Sequence, residues 1–262
     1  MCHQTVAGRQ LGALASRVRS VGPRFSGLTV LLVGGTGGMG RVTAARMAEE
    51  GASVVVTGAA REEVDAYLAA AGTSAAPAEV LDVCDPRDVA RLMDRFDHLD
   101  VLVNLAGVGR GAAEYTEEGF ERTVDVNLFG SMRTCYAARP LLERARGCIV
   151  NTASVMSFLG SPTAPAYASS KGAVVQLTKS LAIALGPAGV RVNAVVPGWI
   201  ETPMTASLFN DEELVARVLS RTPMQRFGQP EEVADAICFL ASPTSAFITG
   251  ATLAVDGGYL AG

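Results

Sequence analysis

Short runs of apolar and β-branched residues recur along the chain, and each is followed by a longer stretch with helical spacing. These runs predict strands at residues 29–33, 53–57, 99–104, 148–152, 190–196 and 251–255. Because the runs are nearly continuous in apolar residues, they are typical of a parallel sheet covered by helices on both faces. The alternation of strands with helices indicates an α/β fold. We therefore predict a doubly wound parallel sheet of about seven strands.

The same pattern predicts a single folded domain. No internal repeat or low-complexity linker interrupts residues 27–262. Residues 1–28 differ, because they contain four arginines, no acidic residue and no comparable periodicity. We interpret residues 1–26 as a flexible N-terminal extension. A targeting peptide and a partner-binding helix are the alternatives for this segment.

Composition excludes several classes of protein. A hydrophobic content of 49% with 18% charged residues is typical of a globular chain with a large core. A net charge of −4 provides no basic surface for a nucleic-acid partner. No apolar run reaches the roughly 18 residues of a membrane span, and the N-terminus lacks the apolar core of a signal peptide. A cytoplasmic location is the expectation.

Cysteine and histidine usage gives no indication of a metal site or a disulfide framework. The five cysteines, at positions 2, 84, 135, 148 and 238, form no CxxC pair, which suits a reducing compartment. The only histidines are His3 and His98. A histidine-rich metal site is therefore not expected, and neither histidine lies near the nucleophile motif that a serine hydrolase needs.

A glycine-rich turn follows the first predicted strand. The strand TVLLV runs directly into GGTGGMG at residues 34–40, and a helical stretch begins there. Glycine permits positive φ and lets the backbone come close to a pyrophosphate, while the start of a helix offers free amides to an anion. A strand, a glycine turn and a helix in this order predict dinucleotide binding. A merely structural tight turn is the alternative.

A tyrosine and a lysine lie four residues apart near the start of a long helical stretch. Tyr167 and Lys171 would share one face of that helix. Lysine is rare here, since only two of the 22 basic residues are lysines. A nearby ammonium favours the phenolate, so the pair could act as a proton donor or acceptor near neutral pH. A surface tyrosine beside a surface lysine is the alternative.

These motifs occur together, and in order, in a known family. The glycines form GxxxGxG, Asn104-Leu105-Ala106-Gly107 follows the predicted strand at 99–104, and further matches lie at Asn127, Ser154, Tyr167, Lys171, Pro197-Gly198 and Thr202. The chain thereby resembles the short-chain dehydrogenase/reductase family over residues 27–262, and in particular ketoreductases of the 3-oxoacyl-carrier-protein reductase type. Two departures are Val33, where the family carries Thr, and Leu105, where it carries Asn. The first removes a hydroxyl that ties the glycine turn to the neighbouring strand.

The resemblance implies a catalytic set of Asn127, Ser154, Tyr167 and Lys171. Tyr167 would be the general acid and base, and Lys171 would lower its pKa and bind the nicotinamide ribose. Ser154 would hydrogen-bond the substrate oxygen; its alternative is a strand-end hydroxyl that bonds the backbone. Asn127 would hold a water in a proton relay within a long helix; a helix-bending polar residue is the alternative.

The resemblance also implies the cofactor-binding residues. Asp82 would approach the adenine, or else cap the helix near Pro86. The full set is Gly34, Thr36, Gly37, Gly38, Met39, Gly40, Gly58, Arg61, Asp82, Val83, Asn104, Ala106, Gly107, Tyr167, Lys171, Pro197, Gly198, Ile200 and Thr202.

The end of the second strand bears on the choice between NAD and NADP. An acidic residue there would bind the ribose 2′-hydroxyl of NAD and repel the 2′-phosphate of NADP. Gly58 stands at that position, and Arg61 lies close enough in sequence to reach a phosphate. Ala59 and Gly37 supply no basic group. We favour NADP(H) over NAD(H).

The implied function is an NAD(P)-dependent oxidoreductase that transfers hydride between nicotinamide and a secondary alcohol or ketone, with ketone reduction favoured. An epimerase or dehydratase on the same fold and a non-catalytic nucleotide sensor are the alternatives. Residues 108–115 and 155–162 would line the substrate pocket, with a mobile lid at about 199–226. A small-molecule ketone or alcohol and a homotetramer, with a dimer as second choice, are the implied partners.

Overall fold

The computed structural model describes residues 23–262, so most of the predicted extension, residues 1–22, lies outside the described part. Its centre is one parallel sheet in the order β3-β2-β1-β4-β5-β6-β7. The strands are β1 (Thr29–Val33), β2 (Ser53–Gly58), β3 (Ala78–Val80), β4 (Val101–Asn104), β5 (Cys148–Thr152), β6 (Arg191–Pro197) and β7 (Thr252–Val255). Every neighbouring pair is parallel. The predicted parallel α/β fold is confirmed.

The helices of residues 23–262 alternate with these strands. The α-helices are α1 (Gly38–Glu49), α2 (Arg61–Ala71), α3 (Pro86–Met93), α4 (Glu117–Val124), α5 (Ser131–Ala145), α6 (Pro165–Leu185), α7 (Glu212–Arg221) and α8 (Pro230–Ala241). A π-helical turn, Asp125–Gly130, joins α4 to α5, and a 3-10 turn, Gly111–Tyr115, precedes α4. No described helix has both the length and the apolar character needed to cross a bilayer.

Both faces of the sheet are buried. On β1, Val30 and Leu32 join the core beneath α1 and α8, whereas Leu31 and Val33 join the core beneath α3 and α5. All four side chains are almost completely shielded from solvent. This burial on both sides explains why the strands are apolar throughout instead of alternating with polar residues.

The folded domain begins before residue 27. Phe25, which the sequence assigns to the extension, is completely buried in the core beneath α1 and α8. Its backbone N–H donates to the carbonyl of Glu50, and the side chain of Arg24 is paired with the Glu50 carboxylate. Residues 24–26 therefore pack on the domain because an aromatic side chain in this segment closes the end of the core.

The strand order of the sheet reverses at β1. β2 and β3 lie on one side of β1, and β4 to β7 lie on the other. The carboxyl ends of β1 and β4 are therefore neighbours whose following segments diverge, and ligands of doubly wound sheets bind in the crevice at such a point. Apart from Asn127, the motifs that the sequence indicates follow carboxyl ends of strands or begin the next helix.

Replacement of Phe25 by alanine is expected to destabilise the protein, because it removes a buried ring from a packed core. We expect Phe25→Ala to lower the free energy of unfolding by about 3–5 kcal/mol in urea titrations. Phe247→Ala is the matched control, since the Phe247 side chain is fully exposed, and its effect should stay within about 0.5 kcal/mol. Equal effects of the two variants would contradict the packed position of Phe25.

Candidate active site

The glycine turn after β1 packs directly against the segment after β4. Gly34 has a φ of +77°, and a Cβ built on it would lie 2.5 Å from the backbone nitrogen of Ala106. A Cβ on Gly40, in the first turn of α1, would lie 2.5 Å from the Cα of Gly35. The two glycines let α1 and the segment after β4 approach the turn more closely than any side chain allows.

Val33 stands where a threonine is expected from the resemblance. Main-chain hydrogen bonds and a side chain of β2 hold the glycine turn in its absence. The hydroxyl of Thr57, on β2, accepts a hydrogen bond from the Gly34 N–H at 3.2 Å. The carbonyl of Val33 accepts hydrogen bonds from the N–H groups of Leu105 and Ala106 at 2.8 and 3.0 Å. Thr57 therefore supplies a hydroxyl at the turn, and the main chain provides the link to β4.

The start of α1 offers backbone amides without a competing side chain. Gly37 is the N-cap residue and makes no side-chain capping bond. A Cβ on Gly38 would lie 3.2 Å from side-chain atoms of Thr202 and 3.1 Å from Pro203, so the segment after β6 covers this helix end. Met39 is partly buried against the core below. Free amides at a helix start bind anions such as a pyrophosphate.

The end of β2 carries an acidic group that the sequence pattern did not reveal. A Cβ on Gly58 would lie 2.7 Å from the hydroxyl of Thr36 and 3.2 Å from a carboxylate oxygen of Glu63. That Glu63 oxygen accepts the N–H of Ala59 at 2.9 Å. Glu63 occupies the third position of α2, where acidic side chains commonly return to the preceding backbone, and this spacing was the available signal. Arg61 is exposed at the first position of α2.

Asp82 and Val83 lie in the turn after β3. Asp82 is exposed, and its carboxylate accepts the N–H of Cys84 at 2.9 Å. The alternative in which Asp82 caps α3 is wrong, because Asp85 is the N-cap residue and accepts the N–H of Arg87. Val83 is buried against Gly130 of the π-helical turn.

Asn104 turns its side chain into the core. Its Oδ1 accepts a hydrogen bond from the Thr134 hydroxyl at 2.8 Å, and its Nδ2 donates to Asn151 Oδ1 at 2.9 Å and to Cys135 Sγ at 3.3 Å. That Asn104 lines the adenosine ribose and its neighbourhood, as the resemblance implies, stays a prediction, while its side chain is engaged within the core. Asn104 joins β4 to β5 and α5, because a buried amide needs hydrogen-bond partners.

Gly107, Asn127 and Lys171 come together behind the segment after β4. A Cβ on Gly107 would lie 3.3 Å from both Asn127 Oδ1 and Lys171 Nζ. The Asn127 side chain accepts from Val108 N at 2.8 Å and donates to Val108 O and to Ser170 Oγ at 2.9 and 3.1 Å. Asn127 lies within a long helical stretch, as expected, because α4, the π-helical turn that holds Asn127 and α5 follow one another without a break. Such turns often mark functional sites.

Tyr167 and Lys171 lie on the first turns of α6, and Ser154 follows β5. The Ser154 side chain lies close enough to Tyr167 to lower the pKa of its phenol. Lys171 is buried, and its Nζ donates to the carbonyl of Thr152 at 2.7 Å and lies 5.8 Å from the centroid of the Tyr167 ring. Ser154 also caps the short turn after it by accepting Met156 N at 3.2 Å. The backbone bond that is the alternative role of Ser154 is present, and its hydrogen bond to a substrate oxygen stays a prediction.

Burial dominates the electrostatics of this pair. It raises the pKa of the Tyr167 phenol above its usual value, while the hydrogen bond with Ser154 lowers the pKa and the charge of Glu114 raises it. Burial also lowers the pKa of Lys171 to about 8. The net effect on Tyr167 is opposite to the expectation that Lys171 lowers its pKa, because desolvation disfavours a phenolate.

The segment after β6 completes the edge of the site. Pro197 ends β6, and the N–H of Gly198 donates to the carbonyl of Val255 at 2.9 Å. Ile200 is buried in the core, so its side chain faces away from the crevice. Thr202 lies against Gly38, and its N–H donates to Thr205 Oγ1 at 3.0 Å.

Comparison with known proteins identifies the family. The family model described as enoyl-(acyl carrier protein) reductase matches residues 34–260. The chain belongs to the short-chain dehydrogenase/reductase family. It is 38% identical over 245 residues to a 3-oxoacyl-[acyl-carrier-protein] reductase of Thermotoga maritima. The aligned region covers 90% of this chain and 98% of that protein. This short-chain dehydrogenase/reductase is therefore an oxidoreductase that acts on an alcohol or carbonyl group with a nicotinamide cofactor.

Other relatives share the full length of the domain. A cis-4-hydroxycyclohexanecarboxylate dehydrogenase of Sinomonas cyclohexanicum is 38% identical over 252 residues, which are 92% of this chain and 100% of that protein. A solved structure from Agrobacterium tumefaciens with bound NADP superposes with a TM-score of 0.84 at 34% identity, and covers 93% of this chain and 100% of that one. The predicted oxidoreductase on secondary alcohols and ketones is confirmed.

The residues of this short-chain dehydrogenase/reductase fit a nicotinamide dinucleotide. The glycine turn leaves a cradle that a Cβ would fill, the start of α1 presents free amides, and the crevice runs from the end of β2 to Tyr167. Gly34, Gly37, Gly38 and Gly40 line the cradle itself, and Ala106 and Gly107 follow on its far side.

Alanine at Gly34 is expected to damage the cradle. The variant introduces a Cβ that meets Ala106 N and places alanine at positive φ. We expect Gly34→Ala to weaken NADPH and NADH binding at least about tenfold, as measured by fluorescence titration, because the phosphate cradle must open.

Gly72→Ala is the matched control for this change. Gly72 also has positive φ, at +57°, but nothing lies within 4 Å of its Cβ position. It should therefore cost only about 1 kcal/mol of stability and leave nucleotide affinity unchanged. Equal nucleotide affinities in the two variants would contradict a cradle that depends on the contact between Gly34 and Ala106.

Proposed function

We propose that this enzyme reduces a small-molecule ketone to a secondary alcohol, with Tyr167 as the proton donor. The observation that carries the proposal is the juxtaposition of Ser154, Tyr167 and the buried Lys171 beside the end of β5, with Lys171 Nζ 5.8 Å from the centroid of the Tyr167 ring. Two hydroxyl donors aimed at one oxygen stabilise the negative charge that develops on a carbonyl oxygen during reduction.

Each of these residues has a distinct role in the proposed reaction. The cofactor supplies a hydride to the carbonyl carbon and leaves oxidised. Tyr167 Oη transfers its proton to the carbonyl oxygen, which completes the alcohol, and Ser154 Oγ holds that oxygen. Lys171 binds the nicotinamide ribose near Gly107 and helps to return a proton to Tyr167. Asn127 fixes the loop that begins at Val108 and, through a water, extends the proton path to Lys171.

The direction of the reaction follows from the state of the phenol. Burial raises the pKa of Tyr167, so the phenol keeps its proton at neutral pH. A protonated phenol donates to the oxygen of a ketone, whereas oxidation of an alcohol requires the phenolate as a base. Reduction is therefore the direction in which the resting site is already in the required protonation state.

We assign NADP(H) as the preferred cofactor over NAD(H). Gly58 leaves β2 without an acidic side chain at its end, and the exposed Arg61 at the start of α2 is free to turn toward a 2′-phosphate. Glu63 acts in the opposite direction, because its carboxylate lies against Gly58. The Glu63 carboxylate already accepts a hydrogen bond from Ala59 N. In this proposal the positive charge of Arg61 therefore decides the preference for the 2′-phosphate. We propose that Asp82 approaches the adenine.

The proposed substrate pocket lies between the loops that follow β4 and β5. The hydroxyl of Tyr115 donates to the carbonyl of Pro162 at 2.9 Å, which joins the two loops. Phe158 and Met204 present exposed apolar surface, with relative exposures of 51% and 57% for the whole residue. These groups favour a largely apolar ketone. The segment at about 199–226, which contains α7 and covers Gly38, is the proposed lid.

The assembly and location are further proposals. We propose a homotetramer, with a dimer as second choice, in the cytoplasm. Exposed aromatic side chains of α4, the π-helical turn and α5 support an interface between subunits, namely Phe120, Phe129 and Tyr136. Cysteines 84, 135, 148 and 238 are free thiols, which is compatible with a reducing compartment.

Loss of the Tyr167 hydroxyl is expected to abolish turnover while nucleotide binding persists. Tyr167→Phe removes only the proton donor, so we expect kcat for ketone reduction to fall about 10²–10⁴-fold with unchanged NADPH affinity. Lys171→Ala should reduce both, since the lysine contacts the ribose in this proposal. The measurement is absorbance at 340 nm across a panel of ketones, combined with nucleotide titration.

Tyr136→Phe is the control, because Tyr136 is an exposed tyrosine of α5. It should leave both quantities unchanged. Full turnover of the Tyr167→Phe variant would refute Tyr167 as the acid. Tight nucleotide binding without turnover of any ketone by the wild-type protein would favour a nucleotide sensor instead.

The cofactor assignment predicts opposite effects of two substitutions in α2. Arg61→Ala should weaken NADPH binding roughly tenfold or more and leave NADH binding unchanged, because a charge-assisted contact with the 2′-phosphate is lost. Glu63→Gln should strengthen NADPH binding, because a negative charge near that phosphate is removed. Calorimetric Kd values for both nucleotides provide the measurement.

Arg144→Ala is the control for charge, since Arg144 is exposed in the last turn of α5, which leads into the amino end of β5. A wild-type protein that binds NADH more tightly than NADPH, and loses that preference in Glu63→Gln, would overturn the assignment. Glu63 would then be the acid that binds the ribose 2′-hydroxyl.

A further inference from the structure

Glu114 is a buried carboxylate beside the site that the proposed mechanism does not use. It lies in the 3-10 turn before α4 and is only 1% exposed. One oxygen accepts the backbone N–H of Arg110 at 2.9 Å, with the Thr123 hydroxyl at 3.5 Å, and the other accepts the backbone N–H of Tyr167 at 2.9 Å. The carboxylate thus connects the substrate loop, α4 and the catalytic helix.

The first turn of α6 lacks a capping group of its own. Its N-cap residue, Ala164, has no side chain that could accept a hydrogen bond, and Pro165 has no N–H. Tyr167 occupies the third helical position, whose N–H normally bonds the N-cap side chain. Glu114, 53 residues earlier in the chain, supplies that acceptor instead. The negative charge also suits the positive end of the helix dipole.

No lysine or arginine forms a salt bridge with Glu114 anywhere in residues 23–262. A carboxylate buried without a cation is costly unless hydrogen bonds stabilise it. The two backbone N–H groups and the end of α6 provide this stabilisation. A glutamine in the same place would turn its NH₂ group toward one of the two backbone N–H donors, and two donors cannot hydrogen-bond each other. The hydrogen-bonding groups around Glu114 therefore suit a carboxylate.

We propose that Glu114 is a positioning residue for proton transfer: it fixes the first turn of α6 to the substrate loop and holds Tyr167 as a protonated donor facing the ketone. This inference rests on the proposed role of Tyr167 as the acid. Geometry supplies the first part, because the carboxylate bonds the backbone of Tyr167 itself and that of Arg110 in the loop.

The charge of Glu114 supplies the second part. It raises the pKa of Tyr167, in addition to the larger effect of burial. Lys171 on the same helix bears the opposite charge, and its own pKa is lowered by burial to about 8. Other charged groups on neighbouring elements are engaged elsewhere: Asp125 with Arg133, and Arg191 with carbonyls at the end of α8. Ser154 contributes a hydroxyl without charge.

Glu114→Gln tests both parts in the full-length enzyme. Reduction needs the protonated phenol, so activity declines as pH rises through the pKa of Tyr167. Removal of the negative charge lowers that pKa, and the alkaline limb of the kcat profile should move to lower pH by about half a unit or more. Loss of one backbone bond should also lower kcat roughly tenfold while the Kd for NADPH stays unchanged.

Glu117→Gln is the matched control. Glu117 is exposed at the start of α4, three residues away, and the substitution removes the same charge. It should leave both kcat and the pH profile as in the wild type. Identical profiles and kcat values for the two glutamine variants, both folded by thermal unfolding, would overturn the inference.

Glu114→Asp separates position from charge and serves if the glutamine variant does not fold. The aspartate keeps the charge but is one methylene too short to bond both N–H groups. We expect a reduced kcat with the alkaline limb unchanged and NADPH affinity retained. Wild-type kcat in this variant would overturn the positioning role.

Tyr167→Phe, measured in parallel, distinguishes a failure of the inference about Glu114 from a failure of the proposed function. If Tyr167→Phe is inactive and the Glu114 variants behave as the wild type, only the inference about Glu114 fails. If Tyr167→Phe remains active, the proposed function fails, whatever the Glu114 variants show.

Discussion

The close contact between Gly34 and Ala106 is the constraint on which the site depends. It joins the ends of β1 and β4, and the carbonyl of Val33 secures it by accepting the N–H groups of Leu105 and Ala106. Strand order reverses at this contact, so the chain leaves it in two directions. One direction leads to the free amides of α1 and the other to the loop of the proposed substrate pocket. A crevice with phosphate-binding groups on one side and reacting groups on the other follows from this single contact.

Burial of the reacting groups is the second constraint, and it opposes the simplest account of a tyrosine beside a lysine. An ammonium in water would favour the phenolate, but here Lys171 is buried, the Tyr167 phenol is desolvated, and the pKa of each shifts toward its neutral form. Lys171 stays in place because it donates to the carbonyl of Thr152. Its position next to Gly107 is therefore fixed by a backbone contact, independently of the state of Tyr167. The pair is organised by packing first and by charge second.

Features that depend on local sequence could be predicted, whereas those that depend on distant contacts could not. The central strands are apolar on both faces and were recognised as such, but β3 is a short edge strand of three partly exposed residues without an apolar run. The glycine turn is a local signal, since strand, turn and helix are contiguous. The inward side chain of Asn104 and the capping of α6 by Glu114 arise from partners about 30 to 50 residues away. No periodicity in the sequence encodes such partners.

The loop after β4 is held at several points, and this arrangement separates specificity from catalysis. Asn127 bonds both the N–H and the carbonyl of Val108, Glu114 bonds Arg110 N, and Tyr115 bonds the loop after β5. Between these ties, residues 109–113 present exposed backbone and short side chains apart from Arg110. Because the ties orient Tyr167 and the exposed stretch does not, the surface that meets the substrate can change without displacing the proton donor.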